Sequence, residues 1–103
     1  LSGWDTSSVT DMEGMFSRAT NFDQDLQSWD INQIADFTDF MLGVTLSTTN
    51  YDLLLTSWNA QGAMSYSGTV NFGSSKYTGG GTVATAHASL VTKWGGISDG
   101  GVA

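Results

Sequence analysis

The side chains with the clearest capacity for chemistry are acidic and aromatic. Asn21, Asp23 and Asp25 alternate along the chain like the first three oxygen ligands of an EF-hand loop. The match ends there, because the sixth position falls on Leu26 rather than glycine and the twelfth on Asn32 rather than Glu. A looser calcium site is the alternative, built from carboxylates that a chain repeat stacks: Asp5 over Asp30, and Asp11 over Asp36. Stacked like charges cost energy unless solvated, hydrogen-bonded or bridged by a cation. The competing expectation, which we prefer, is that these residues cap turns and helix starts.

Trp4, Trp29, Trp58 and Trp94 would form a sugar-stacking platform if exposed, with Trp4 and Trp29 as the first ligand contacts. Their corresponding places in successive units favour a buried ladder instead. Asp11 with Glu13, or Asp36 with Asp39, has the composition of a glycosidase carboxylate pair. On short solvated segments such pairs are usually surface charge. His87 is the single histidine and falls on an apolar stripe with no partner nearby in sequence, which predicts a packed residue rather than a base. Glycines at 79, 80 and 81 before Thr82 offer an anion cradle, but without the lysine of a phosphate loop they read as a hinge. No catalytic residue, cofactor or firm metal site emerges.

Composition narrows the function classes. The 103 residues suit one domain with a modest core. Ten acidic against three basic residues give a net charge of −7, which argues against nucleic acid and anionic membrane as partners. The absence of cysteine excludes disulfides and thiolate zinc sites. No apolar run reaches membrane-spanning length. With neither an initiator Met nor a signal sequence, and a start within a repeat, the chain reads as the C-terminal part of a longer exported protein.

The elements that would position these residues come from a repeat of 25 positions. Leu1 falls on Leu26, Trp4 on Trp29, Val9 on Ile34, Met12 on Phe37, Met15 on Phe40, Phe16 on Met41 and Ala19 on Val44. Apolar character persists while polar positions drift, which is the signature of units that stack to bury one side. Residues 1–4 and 25–29 read as short strands, with Leu26 and Ser28 on one face. Met12, Met15, Phe16 and Ala19, and again Phe37, Phe40, Met41 and Val44, have the spacing of short helices, capped by Thr10 and Asp36. Four extra residues at 46–49 then break the pattern. Tyr51, Leu54, Leu55 and Trp58 mark a longer helix with Thr49 and Asp52 as capping pair and Gly62 as its stop. Residues 69–72 and 76–78 read as a hairpin across a turn at 73–75. Thr82 caps a last helix with stripe Val83, Ala86, His87, Leu90, Val91 and Trp94, ended by Gly95 and Gly96. A short terminal strand follows at 97–101.

From Trp4 the first copy reads Trp-Asp-Thr-Ser-Ser-Val-Thr-Asp-Met-x-Gly-Met-Phe-Ser-x-Ala, and the second closes on Asn50, Tyr51, Asp52 and three leucines. This resembles the BspA-type leucine-rich-repeat surface proteins, and more closely the subgroup first catalogued as a Mycoplasma lipoprotein-type domain of unknown function. The resemblance covers residues 1–44 most specifically. It implies export, exposure on a bacterial cell surface and a part in adhesion or partner recognition, with no catalytic residues to carry over.

The expected architecture is therefore α/β: leucine-rich-repeat-like solenoid coils of short strand and short helix, then a helix-hairpin-helix cap. Residues 1–25 and 26–46 are the two repeats, the second degenerate, and residues 47–103 the cap, in one folding unit. The expected function is a non-catalytic, secreted or cell-surface module that caps an adhesion solenoid. Its partners are upstream repeats and an extracellular protein or glycan. A self-sufficient glycan- or peptide-binding module, calcium-assisted, is the alternative; a carboxylate-pair hydrolase is the remote one.

Overall fold

The first two passes of the chain are joined by backbone hydrogen bonds at every second residue. In the computed structural model, which describes residue 6, residues 8–62 and residues 64–103, the N–H groups of Met12, Gly14, Phe16 and Arg18 donate to the carbonyls of Asp36, Thr38, Phe40 and Leu42 at 2.9, 2.8, 3.0 and 2.6 Å. Ala35 returns a bond to the Thr10 carbonyl at 2.7 Å, and Asp11 and Asp36 form a parallel bridge. The intervening N–H groups close three-residue turns, Met15 to Met12, Ser17 to Gly14 and Ala19 to Phe16.

These stretches are strings of turns, not the short helices that the spacing predicts. Gly14 and Arg18 hold φ of 61° and 64°, and their counterparts Asp39 and Gly43 hold 52° and 80°. A left-handed residue every fourth position breaks a right-handed helix while keeping its apolar spacing. In the second pass the stripe still turns inward, with Phe37, Phe40, Met41 and Val44 fully buried. In the first, Met12 is buried and Phe16 and Ala19 partly so, but Met15 is exposed rather than in the core. At 25–29 a turn likewise replaces the expected strand. Trp29 N–H donates to the Leu26 carbonyl at 3.1 Å, so Leu26 and Trp29 both enter the core. The strand expected at 1–4 lies outside the described residues.

Helix α1, Thr48–Asn59, buries Tyr51, Leu54, Leu55 and Trp58 as their spacing requires. Its N-cap is Ser47, whose side chain accepts from Asn50 N–H, rather than the expected Thr49. Asp52 instead accepts from the Thr78 N–H and hydroxyl at 2.9 and 2.6 Å. Helix α2, Gly81–Trp94, buries Ala86, Leu90 and Trp94. It starts after Gly80 without a side-chain cap, so Thr82 lies inside it, and Gly95 ends it at φ 114°. Lys93 in its last turn donates to the Asn59 carbonyl at 2.6 Å, tying the ends of the two helices together.

The predicted hairpin is replaced by parallel pairing. Strands β1, Gly68–Asn71, and β2, Lys76–Tyr77, pair in parallel with β3, Gly95–Ser98, and β4, Gly101–Val102. Helix α2 supplies the crossover that parallel pairing needs. The bend between β1 and β2 is held against the second pass rather than folded back. Met41 N–H donates to Asn71 and Ser74 N–H to Val44, at 2.9 and 3.0 Å. Gly73 sits so close there, at φ 64°, that a Cβ would overlap the Val44 carbonyl oxygen. The result is a small α/β domain in which successive passes run parallel.

Its core is aromatic. Phe37 meets Phe40 edge-on at 5.1 Å between centroids, Phe40 meets Phe72 at 6.1 Å, and Trp58 meets Trp94 at 6.4 Å. The Trp58 indole N–H donates to the Leu26 carbonyl at 2.9 Å, so a buried polar group is satisfied. No helix of the described residues is long and apolar enough to cross a membrane.

Candidate functional site

The most connected titratable group is Asp99, in the turn between β3 and β4. Its Oδ1 accepts from Gly101 N–H at 2.8 Å. Its Oδ2 accepts from the Tyr51 hydroxyl at 2.6 Å and lies 2.9 Å from His87 Nε2. The carboxylate is 8% exposed and the imidazole 16%. Helix α1 contributes Tyr51, α2 contributes His87, and β2 contributes Tyr77, whose ring stacks on the imidazole at 4.0 Å and 18°. Burial, and then the bond to Asp99, push the Tyr51 phenol far above its ordinary range, so it acts as a donor and not as a base.

With its proton on Nε2, His87 is oriented by Asp99 as a histidine is in a nucleophile–base–acid triad. The third member is missing: among the described residues no hydroxyl bonds the other imidazole nitrogen. The cluster works as a clasp that fixes the last turn to both helices. Sequence reasoning found His87 but not Asp99, which lies 12 residues on. An Asp before two glycines signals a turn there; nothing local signals its pairing.

The acidic candidates are engaged in turns and caps. Asp23 Oδ1 accepts from Ser47 N–H and from the Asn50 amide, each at 2.9 Å, at the start of α1. Burial pushes its carboxyl up, but these bonds outweigh it and hold the group below the usual carboxylate range. Asp25 accepts from Gln27 N–H and side-chain amide at 2.9 and 2.8 Å. Asn21 is exposed beside them. Asp11 and Asp36 stack, yet each carboxylate accepts the N–H two residues on, from Glu13 and Thr38, at 2.9 and 2.8 Å. Thr38, through hydroxyl and N–H, holds Asp36 below the ordinary range. Asp30 meets the first pass through its backbone, where its N–H donates to the Thr6 hydroxyl at 2.9 Å and its carbonyl accepts from that hydroxyl at 3.0 Å. Asp5 lies outside the described residues. Among those described, no three acidic, histidine or cysteine side chains converge as metal ligands.

The aromatic platform loses its premise. Trp29, Trp58 and Trp94 are fully buried, so none of these three faces a ligand, and Trp4 lies outside the described residues. Gly80 and Gly81, at φ 78° and 64°, make the sharp turn into α2.

No curated protein and no solved structure matches this chain. The family model described as "Mycoplasma protein of unknown function, DUF285" matches residues 1–78, which take in both copies of the repeat, α1, β1 and β2. With that share of its length matched, the chain belongs to the DUF285 family.

Proposed function

We propose that this chain is the closing end of a BspA-type, leucine-rich-repeat-like solenoid, and that it serves recognition on a bacterial surface without catalysis. Residues 1–25 and 26–46 are two coils, and residues 47–103 cover the far side of the stack. The reading rests on one observation above all: the in-register bonds from residues 12–18 to residues 36–42, which follow the 25-residue sequence repeat. Coils bonded this way bury a shared core only when stacked. The described tryptophans and the acidic turns support a structural role, since they are occupied in packing and capping rather than aimed at solvent ligands. The partners in this reading are preceding repeats of the same polypeptide and an extracellular protein or glycan.

A binding screen tests it. This chain, and a longer version of its parent polypeptide with several more repeats, are offered to glycans, matrix proteins and whole bacterial surfaces. The reading expects the longer protein to bind and this chain to stay silent. Equal binding by this chain alone would make it a self-sufficient recognition module and sink the closing role.

A further inference from the structure

One face of the first pass is open in a patterned way. In the second pass the carbonyls of Asp36, Thr38, Phe40 and Leu42 all accept bonds from the first. Their counterparts 25 residues earlier are the carbonyls of Asp11, Glu13, Met15 and Ser17. Among the described residues, none of these four carbonyls accepts a hydrogen bond. The side chains repeat the contrast. Phe40 is fully buried, while its counterpart Met15 is 42% exposed; Met41 is buried, while its counterpart Phe16 is half-buried. Among the described residues, a row of unbonded acceptors thus borders exposed Met15 and half-buried Phe16, which is the pattern of a pairing edge.

The pattern specifies its occupant. The edge is dominated by these four acceptors, with the Thr10 N–H, counterpart of the Ala35 donor, as a single donor at one end, so two copies meeting face to face would set carbonyl mostly against carbonyl. The occupant must bring N–H donors at two-residue spacing. The row also bends at the left-handed residues Gly14 and Arg18. A straight extended peptide falls out of register across such bends, whereas a chain with left-handed residues at the same spacing follows them, as residues 11–18 follow residues 36–42. Stacked acidic residues are no obstacle, because Asp11 already lies beside Asp36 with each carboxylate bonded to its own turn.

We propose that this face is a docking surface for one more coil of the chain's own 25-residue pattern, carried on its N-terminal side in the same polypeptide. The proposal rests on the coil-stack part of the reading above and not on surface recognition. The incoming coil donates to the carbonyls of Asp11, Glu13, Met15 and Ser17 and covers Met15 and Phe16.

The test adds a second copy of residues 1–25 directly ahead of the full chain and follows methionine oxidation by dilute peroxide, read by mass spectrometry. In the present chain Met15 should oxidise well ahead of the buried Met12 and Met41. In the lengthened chain its oxidation should slow by roughly tenfold, with a higher melting temperature. The same addition carrying Gly14→Val and Arg18→Val in the added copy alone should give no protection, since the bends are lost. Unchanged Met15 oxidation in a lengthened chain that retains native tryptophan fluorescence would overturn the proposal. So would protection of Met15 in the present chain that grows with protein concentration, which would assign the face to a second copy. Neither readout involves a surface ligand, so the docking and recognition readings fail separately.

Discussion

Asp39 stands in the second pass where Gly14 stands in the first, and both hold left-handed backbone, at φ 52° and 61°. Arg18 and Gly43 are matched in the same way, at 64° and 80°. Each pass therefore contains one glycine and one strained side chain, in opposite order. A left-handed non-glycine residue costs about 1 kcal/mol, less for Asp than for Arg. Arg18→Gly should stabilise the chain by about 1 kcal/mol and Asp39→Gly by about half that. Gly43→Ala should cost about 1 kcal/mol through φ alone, because the nearest atom to a new Cβ there is Arg18 Cα at 3.7 Å. Urea unfolding measures all three, and equal signs for Arg18→Gly and Gly43→Ala would refute the assignment.

Gly73 is a harsher case because space fails as well as conformation. A Cβ would overlap the Val44 carbonyl oxygen and lie 2.8 Å from Val44 N and 2.9 Å from Met41 O. These are backbone atoms of the second pass, held by the Ser74–Val44 and Met41–Asn71 bonds. Gly73→Ala should destabilise by about 3 kcal/mol, and so lower the melting temperature by roughly 10–20 °C. A melting temperature within a few degrees of the parent would mean that the bend between β1 and β2 is not seated against the second pass as described.

Much of the core was legible because apolar spacing survives whichever backbone carries it. The spacing of Phe37, Phe40, Met41 and Val44 predicts their burial, and all four are buried. Their backbone is not legible in the same way, because a string of turns with left-handed bends reproduces the helical spacing. The usual clue, a glycine recurring at one repeat position, is absent: Gly14 faces Asp39, and Gly43 faces Arg18. The stripes of α1 and α2 were legible in the same way. Strand pairing was not, since Val70 finds Ile97 across a whole helix, and two adjacent strand-like runs look locally like a hairpin. The Asp99 clasp was hidden for the same reason, as its members come from four separate segments.

Asp23 joins the first return loop to the start of α1, so its loss should be felt as a lost cap. Asp23→Ala removes the acceptor for Ser47 N–H and the Asn50 amide and should cost about 1 kcal/mol. Asp23→Asn keeps an acceptor oxygen and should recover part of that. The folded carboxyl titrates below its unfolded value near 3.8, so its contribution is complete above that pH and is lost as pH falls through the lower, folded pKa. The gap between parent and Asp23→Ala should therefore close in acid. A gap that persists undiminished at pH 2 would remove the carboxylate from the account.

Tyr51 gives the opposite pH dependence at the other end of the scale. Its phenol is fully buried and donates to Asp99 at 2.6 Å, and burial together with that bond raises its pKa well above the ordinary value of 10.0. A raised folded pKa means that stability is complete below the unfolded pKa and declines as pH climbs past it. The chain should therefore lose stability progressively above about pH 10. Tyr51 should add no phenolate absorbance until the fold opens. Tyr51→Phe removes the hydroxyl and leaves Asp99 with His87 and Gly101 N–H, which should cost about 1–3 kcal/mol at neutral pH. That variant should also show a shallower alkaline decline than the parent, since the group responsible is gone. The decisive comparison is ultraviolet absorbance against circular dichroism from pH 8 to 13: a tyrosine signal from residue 51 that rises while the far-ultraviolet spectrum stays native would break the link between Tyr51, Asp99 and the closed fold.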